Sequence, residues 1–421
     1  MKTLAIALFL AVAASGVFGA GEAGSPSPAE LRIEGAQKVL QKQPNRYQTY
    51  SDLALAFVRR ARETGDSSYY EQAGAAIASS LRIAPENFEA QQAQVDLLLA
   101  EHNYRQALDE ARALNHRMPD AVLVWGYMAE AEAALGDYQQ AEDAAQWMMN
   151  LRPGNLPAYL TGAELRQDWG DIDGAEEYFS KALQQTPPFE TEETAWILTR
   201  MGRLLRQSGR PDTAEALLQK ALKTFPDYSL SLEEMAALRL DQRLYPQAVE
   251  LLEKRNGSFP SVSSRLLAAR AYAGAGRPAD AAKMYAEFER EARAQMGLSD
   301  DASLDLINYY VDYAHRPQEA LRIVRLRIEN RHDVWTLDAC AWALYADRRY
   351  AEADQQMEKA LAIGTRDAVL FYHAGAIEAA VGKKAEASHY LQQSIELNPA
   401  SEVSETARRA AAQFPARGTW E

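Results

Sequence analysis

The sequence predicts an all-α fold built by repetition, a right-handed α-solenoid superhelix of about ten helix-turn-helix units with a capping helix at each end. Three observations predict it. The chain of 421 residues holds only 15 valines and 12 isoleucines, whereas Ala, Leu, Glu, Gln and Arg recur throughout, a bias away from sheet and toward helix. One short string is written five times, as Gly136-Asp-Tyr-Gln-Gln-Ala141, Gly170-Asp-Ile-Asp-Gly-Ala175, Gly209-Arg-Pro-Asp-Thr-Ala214, Gly276-Arg-Pro-Ala-Asp-Ala281 and Gly382-Lys-Lys-Ala-Glu-Ala387. With degenerate copies, its last alanine recurs at Ala73, Ala107, Ala141, Ala175, Ala214, Ala248, Ala281, Ala320, Ala353 and Ala387, at intervals of 33 to 39 residues.

Residues 1–20 read as an export signal rather than as fold: Lys2 supplies a positive start, Leu4 to Ala14 an apolar stretch, and Gly16 to Ala20 a run of mostly small residues before Glu22. The apolar stretch is short for a membrane span, and nothing downstream is apolar enough to re-enter a membrane, so a periplasmic or extracellular setting is expected. Residues 21–27 read as a linker. Ser27-Pro28-Ala29-Glu30 has the spacing of a capping box with proline in the first turn, and it opens a capping helix over 28–44. The repeat array then occupies 45–399. In 400–421, Val403, Ala407, Ala410 and Phe414 line one side of a second capping helix whose other side is charged.

Inside a unit, each residue type has a physical reason. Apolar residues at i, i+3, i+4 and i+7 of the first helix form one face that must be buried. Ala or Gly on that face and the recurring alanine of the second helix let two backbones approach where the helices cross. The turn glycine supplies the left-handed residue that ends the first helix. Pro211, Pro278 and Pro317 fall in the first turn of the second helix, where the missing N–H is not needed. The first unit is irregular, with an insert expected around Gly65-Asp66-Ser67-Ser68.

These residues resemble the tetratricopeptide repeat family. One unit carries Trp125, Ala129, Gly136, Tyr138, Ala141 and Pro153, the next Tyr159, Ala163, Gly170, Ala175, Phe179, Ala182 and Pro187, and the last Phe371, Gly375, Gly382, Ala387, Leu391 and Pro399. The likeness covers about Asn45 to Pro399. It implies a non-catalytic scaffold that binds a protein or peptide along its concave face.

Charge and motif content narrow the chemistry. The net charge is −14 and no Lys/Arg-rich run is present, so nucleic acid is not expected as a partner. Cys340 is the lone cysteine and reads as a small buried hydrophobe. Gly274-Ala-Gly276-Arg-Pro-Ala279 mimics a dinucleotide fingerprint but follows a helix and coincides with a repeat turn. The six histidines form no metal-binding pair in sequence, and no nucleophile elbow or phosphate-binding loop exists, so neither cofactor nor catalysis is expected.

The face of each first helix opposite its apolar stripe should line the concave wall. In the last three units it carries Asp305, Tyr309, Asp312, Tyr313, Trp335, Asp338, Trp342, Tyr345 and Tyr372, aromatics interleaved with carboxylates, which form the expected partner-binding surface; the alternative is that superhelical neighbours bury several of them as core, Trp335 above all. Replacing Trp342 and Tyr345 by alanine is then expected to abolish partner binding and leave the helices intact. Arg200, Arg203, Arg206 and Arg270 form a secondary basic surface. Within the family, one subclass clamps the C-terminal carboxylate of its partners with Lys, Asn and Arg on this wall. Here the corresponding places hold Gln92 and Asp96, Gly126 and Glu130, then Leu160 and Glu164. The resemblance therefore implies an extended partner with basic and apolar side chains instead of an acidic tail. The alternative reading is a carbohydrate-binding module or enzyme that uses the aromatic and acidic groove.

Overall fold

The computed structural model describes residues 26–257, 260–296, 301–329 and 331–413, with the backbone alone for Asp301. The signal at 1–20, most of the linker and Phe414 lie outside the described residues. Those described form twenty-two helices and no strand. Helix α1 (Pro28–Lys42) precedes α2 and α3 (Tyr47–Thr64, Ser68–Ile83), α4 and α5 (Phe88–Ala100, Tyr104–Arg117), α6 and α7 (Val122–Leu135, Tyr138–Leu151), and α8 and α9 (Leu156–Asp168, Ile172–Gln185). Next come α10 and α11 (Thr191–Gln207, Pro211–Thr224), α12 and α13 (Ser229–Asp241, Tyr245–Asn256), and α14 and α15 (Val262–Gly274, Pro278–Gln295). The array ends with α16 and α17 (Asp301–Asp312, Pro317–Ile328), α18 and α19 (Val334–Ala346, Tyr350–Leu361), α20 and α21 (Ala368–Ala380, Lys384–Leu397), and the terminal α22 (Glu402–Ala411).

Backbone conformation repeats where side chains do not. The residue that ends the first helix of every unit is left-handed: Gly65, His102, Gly136, Gly170, Gly209, Arg243, Gly276, His315, Arg348 and Gly382. Four of these carry a β-carbon at a cost of about 1–2 kcal/mol each, so the turn is imposed by packing on both sides and not by glycine alone. The first unit has no long insert. Gly65 caps α2 directly and α3 begins at Ser68, and the extra length lies in α2, 18 residues against 13 in α4. Its apolar face, with Leu53, Ala54, Phe57 and Ala61 all buried, simply runs one turn further. At the N-terminus Ser27 makes the capping box with Glu30, and the buried Glu63 of α2 accepts from Ser27 Oγ at 2.5 Å and from the Ala29 amide at 3.1 Å.

The ten recurring alanines are buried, nine of them completely and Ala281 to 4% exposure. Where the facing residue is glycine the approach is closer still: a β-carbon on Gly202 would stand 2.8 Å from Leu218 Cγ, and one on Gly375 2.6 Å from Leu391 Cγ. Ala353→Leu should therefore overpack its crossing and lower stability by about 1–3 kcal/mol. Ala351→Leu, two residues away on the exposed side of α19, should stay within about 0.5 kcal/mol. Urea unfolding of the two variants checks the difference.

Helices of even number pack on the next even-numbered helix, except α8 on α10, whereas no odd-numbered helix packs substantially on the next odd one. Even helices are therefore crowded on the short-radius side and odd helices splayed on the long-radius side, which makes α2, α4, α6 and their successors the concave wall. The exception falls where the loop Thr186–Glu190 lengthens the repeat. Among the described residues the largest continuous core runs over α14–α20 and includes Cys340, whose thiol burial pushes up to about 11.

Candidate partner-binding surface

The wall expected at α16–α20 divides once the helices are stacked. Asp312 and Tyr313 are exposed, and Asp305, Trp335, Tyr345 and Tyr372 are half-buried. Tyr309, Asp338 and Trp342 are buried and do not line a solvent-facing surface. Counting 100° per residue places a side chain on its own helix but takes no account of the next inner helix, and α16, α18 and α20 pack directly on one another. Tyr309 is held among Tyr285, Phe288 and Tyr310, with ring centroids 5.3–5.5 Å apart. Trp342 is stacked between Tyr345 at 4.8 Å and His373 at 4.0 Å, and its Nε1–H donates to Asp312 at 2.8 Å.

Asp338 pairs with His373, whose Nδ1 lies 2.9 and 3.1 Å from the two carboxylate oxygens. Burial disfavours the imidazolium, but Asp338 outweighs it and the His373 pKa rises above its ordinary 6.5. No pair of histidines within one helix points to His373, because its partner lies in the preceding unit. The pair spans 35 residues, one more than the 34 that separate equivalent places of these two units, and that near-repeat spacing is the signal the sequence carries.

The secondary basic surface is neutralised in place. Arg200 pairs with Glu164 at 3.0 Å, Arg203 with Glu234 at 3.6 Å, Arg206 with Glu234 at 3.3 Å and Asp241 at 2.8 Å, and Arg270 with Glu402 at 3.1 Å. The four arginines form a lattice of ion pairs and offer no stripe of open cations.

The opposite imbalance occurs on α4, α6 and α8. Asp96, Glu130 and Asp168 accept no side-chain hydrogen bond or ion pair from the described residues. Crowding by the surrounding wall pushes Asp96 up to about 6, against the opposing pull of Arg62. Glu130 is solvent-exposed on the wall, but the helices around it, with Glu164 and Asp96 adding like charge and Arg200 opposing, push it up to about 8. Asp168 rises to about 7 through burial and Glu164. Tyr127 between them is pushed well above its ordinary value by burial, Asp96 and Glu130. Asp96, Glu130 and Glu164 are the wall residues whose acidity the sequence exposes; Asp168, at the end of α8, joins them only in three dimensions. A row of carboxylates on one wall, short of counter-charge, attracts cationic side chains.

Among the described residues no cluster of His, Cys, Asp and Glu is arranged to hold a metal, and no helix is long and apolar enough to cross a membrane. Residues 158–227 match the tetratricopeptide repeat profile. No curated protein sequence matches the chain. Among solved structures, the human IFIT1 dimer with PPP-AAAA is 17% identical, with 87% of each chain covered and a TM-score of 0.48. A monomeric IFIT1 mutant with Gppp-AAAA is 16% identical over 87% of each chain, with a TM-score of 0.50. A thermophilic tetratricopeptide repeat protein of Thermus thermophilus is 24% identical and fully covered by 44% of this chain, with a TM-score of 0.38. At such identities the likeness concerns the fold.

Proposed function

Because the chain is a tetratricopeptide repeat protein, we propose that it is a non-catalytic scaffold whose inner wall binds an extended protein segment bearing Lys or Arg among apolar residues. The observation that carries this reading is the row of unpartnered carboxylates Asp96, Glu130 and Asp168. The apolar stretch Leu4 to Ala14 supports an exported setting, periplasmic or extracellular. An anionic strand such as the one held in the IFIT1 structures would meet these carboxylates, while the nearby arginines are already engaged. A sugar platform finds less support, since Trp342 is buried.

A fluorescein-labelled dodecapeptide alternating Lys and Leu should bind, and its Asp/Leu counterpart should not. The carboxylates are protonated at low pH and ionise as pH rises through about 6 to 8, so binding should strengthen over that window. The affinity at pH 5.5 should be about tenfold below that at pH 8.5, a difference of about 1.4 kcal/mol. Anisotropy titrations of the wild type and of Asp96→Asn/Glu130→Gln check this; undiminished binding by the double variant would sink the proposed wall. Tight binding of a 5′-triphosphate oligonucleotide by the same protein would replace a peptide partner with a nucleic acid.

A further inference from the structure

The inner wall of this superhelix is not an open groove, because the chain returns over itself six units further on. The end of α6 meets the start of α18: the His332 amide donates to Leu135 O at 3.2 Å, and the Val334 amide donates to the Tyr138 hydroxyl at 3.1 Å. One unit on, the Thr365 hydroxyl donates to Asp168 O; the next contact is Asn398 Nδ2 to Arg206 O at 3.1 Å. These three side-chain bonds link residues 196, 197 and 192 apart. Three consecutive units thus dock in one register on the loops that open the two last units and the terminal helix.

The turn glycines mark where this happens. Gly136, Gly170 and Gly209 are left-handed, with φ of 92°, 72° and 72°. A β-carbon there would lie 2.6 Å from the His332 carbonyl carbon, 2.6 Å from Gly364 O and 2.2 Å from Leu397 O, backbone atoms of the following superhelical turn. Gly276 and Gly382 occupy the same turn of their units with φ of 72° and 88°, and a β-carbon on either meets nothing within 4 Å. The local backbone requirement is the same in all five. What differs is the neighbour across the turn.

The contact is thin in kind. Substantial helix packing occurs only between helices one or two apart along the chain, so no helical face is buried across the seam. Polar groups hold it, and ion pairs flank one end, Arg243 to Glu405 and Arg270 to Glu402; the buried pair of Arg62 with Glu192, 130 residues on, is a separate contact between the first and fifth units.

We propose that this seam is a gate: the superhelix rests as a closed coil, and a partner segment reaches the inner wall when the turns part at Gly136, Gly170 and Gly209. The proposal rests on the inner wall being the binding surface, and it adds that access, not only affinity, is built into the fold. A coil of stacked units opens as a spring does, by small rotations at many unit interfaces, without melting any unit.

Gly170→Ala carries the left-handed backbone cost and the collision with the next turn; Gly276→Ala carries the backbone cost alone. Thr365→Val, which removes only the hydroxyl donor, is a milder opening variant. Amide exchange at His332 and Val334, whose N–H groups cross the seam, should accelerate about tenfold or more in Gly170→Ala and Thr365→Val and stay unchanged in Gly276→Ala. Small-angle scattering should show an expanded chain in the first two only. The association rate of the Lys/Leu dodecapeptide should rise several-fold with them. Equal exchange in all variants would show that the seam does not open and would overturn the proposal. An open seam with an unchanged association rate would overturn the gate and leave the binding wall standing. A peptide bound by neither the closed nor the opened protein would overturn the gate together with the binding reading.

Discussion

Replacing Glu192 by alanine is expected to lower the stability of the protein by about 3–5 kcal/mol. Glu192 is completely buried at the start of α10, where Arg62 grips it with two bonds of 2.8 and 2.7 Å, Arg59 lies at 3.3 Å and the Tyr228 hydroxyl donates at 2.7 Å. Truncation leaves Arg62 with only Glu193 at 3.6 Å, Arg59 with Glu190 at 2.7 Å and the buried Tyr228 hydroxyl without its acceptor, which costs far more than losing an exposed pair. The effect should depend on pH in a definite direction. Burial opposes ionisation, but Arg62, Tyr228 and Arg59 outweigh it and hold the carboxyl below its ordinary 4.5. A depressed carboxylate stabilises above its unfolded pKa, and that contribution is lost as pH falls through the folded value. Wild type and Glu192→Ala should therefore differ most near neutrality and converge in acid below the usual carboxylate range. Urea titrations at pH 7 and at pH 3 measure this. A constant difference between them would contradict the arrangement.

Trp342→Ala is expected to cost about 3–5 kcal/mol as a buried aromatic deletion, with loss of the rings stacked against it. The sequence expectation was the reverse, that replacing Trp342 and Tyr345 together would lose a partner and leave the helices intact. With Trp342 only 7% exposed and packed between Tyr345 and His373, thermal unfolding followed by circular dichroism should show α18–α20 destabilised. Tyr345→Ala, at a half-buried ring, should cost less. The adjoining pair adds a pH signature of opposite sign to that of Glu192. His373 has a raised pKa, so the stabilisation from Asp338 is complete below the ordinary imidazole value and fades as pH rises through the folded one. Asp338→Asn should flatten that dependence.

Whether a side chain is wall or core separates these residues from those that could be read directly. Ala353 could be assigned from spacing because a helix crossing is a local event: two helices a few residues apart in sequence can meet only where both are small. Its complete burial follows from that periodicity. The acidity of Asp96, Glu130 and Glu164 was equally legible, since a single helix sets the face they occupy. Trp342 was not, because its burial depends on α20 sliding over α18, which no periodicity within α18 encodes. His373 belongs to the same class, its meaning lying in a residue 35 positions earlier.

The amino-acid sequence by itself determined the all-α solenoid, its ten units, the alanine crossings and the acidic character of the wall, because each arises from contacts within a unit or between adjacent ones. Tertiary structure alone decided that Gly136, Gly170 and Gly209 touch a second turn while Gly276 and Gly382 do not. It also decided that the basic residues are paired and that successive superhelical turns touch. Superhelical closure sums small rotations over six unit interfaces. Its contacts are polar, sparse and nearly two hundred residues apart, so no local pattern of side chains records them.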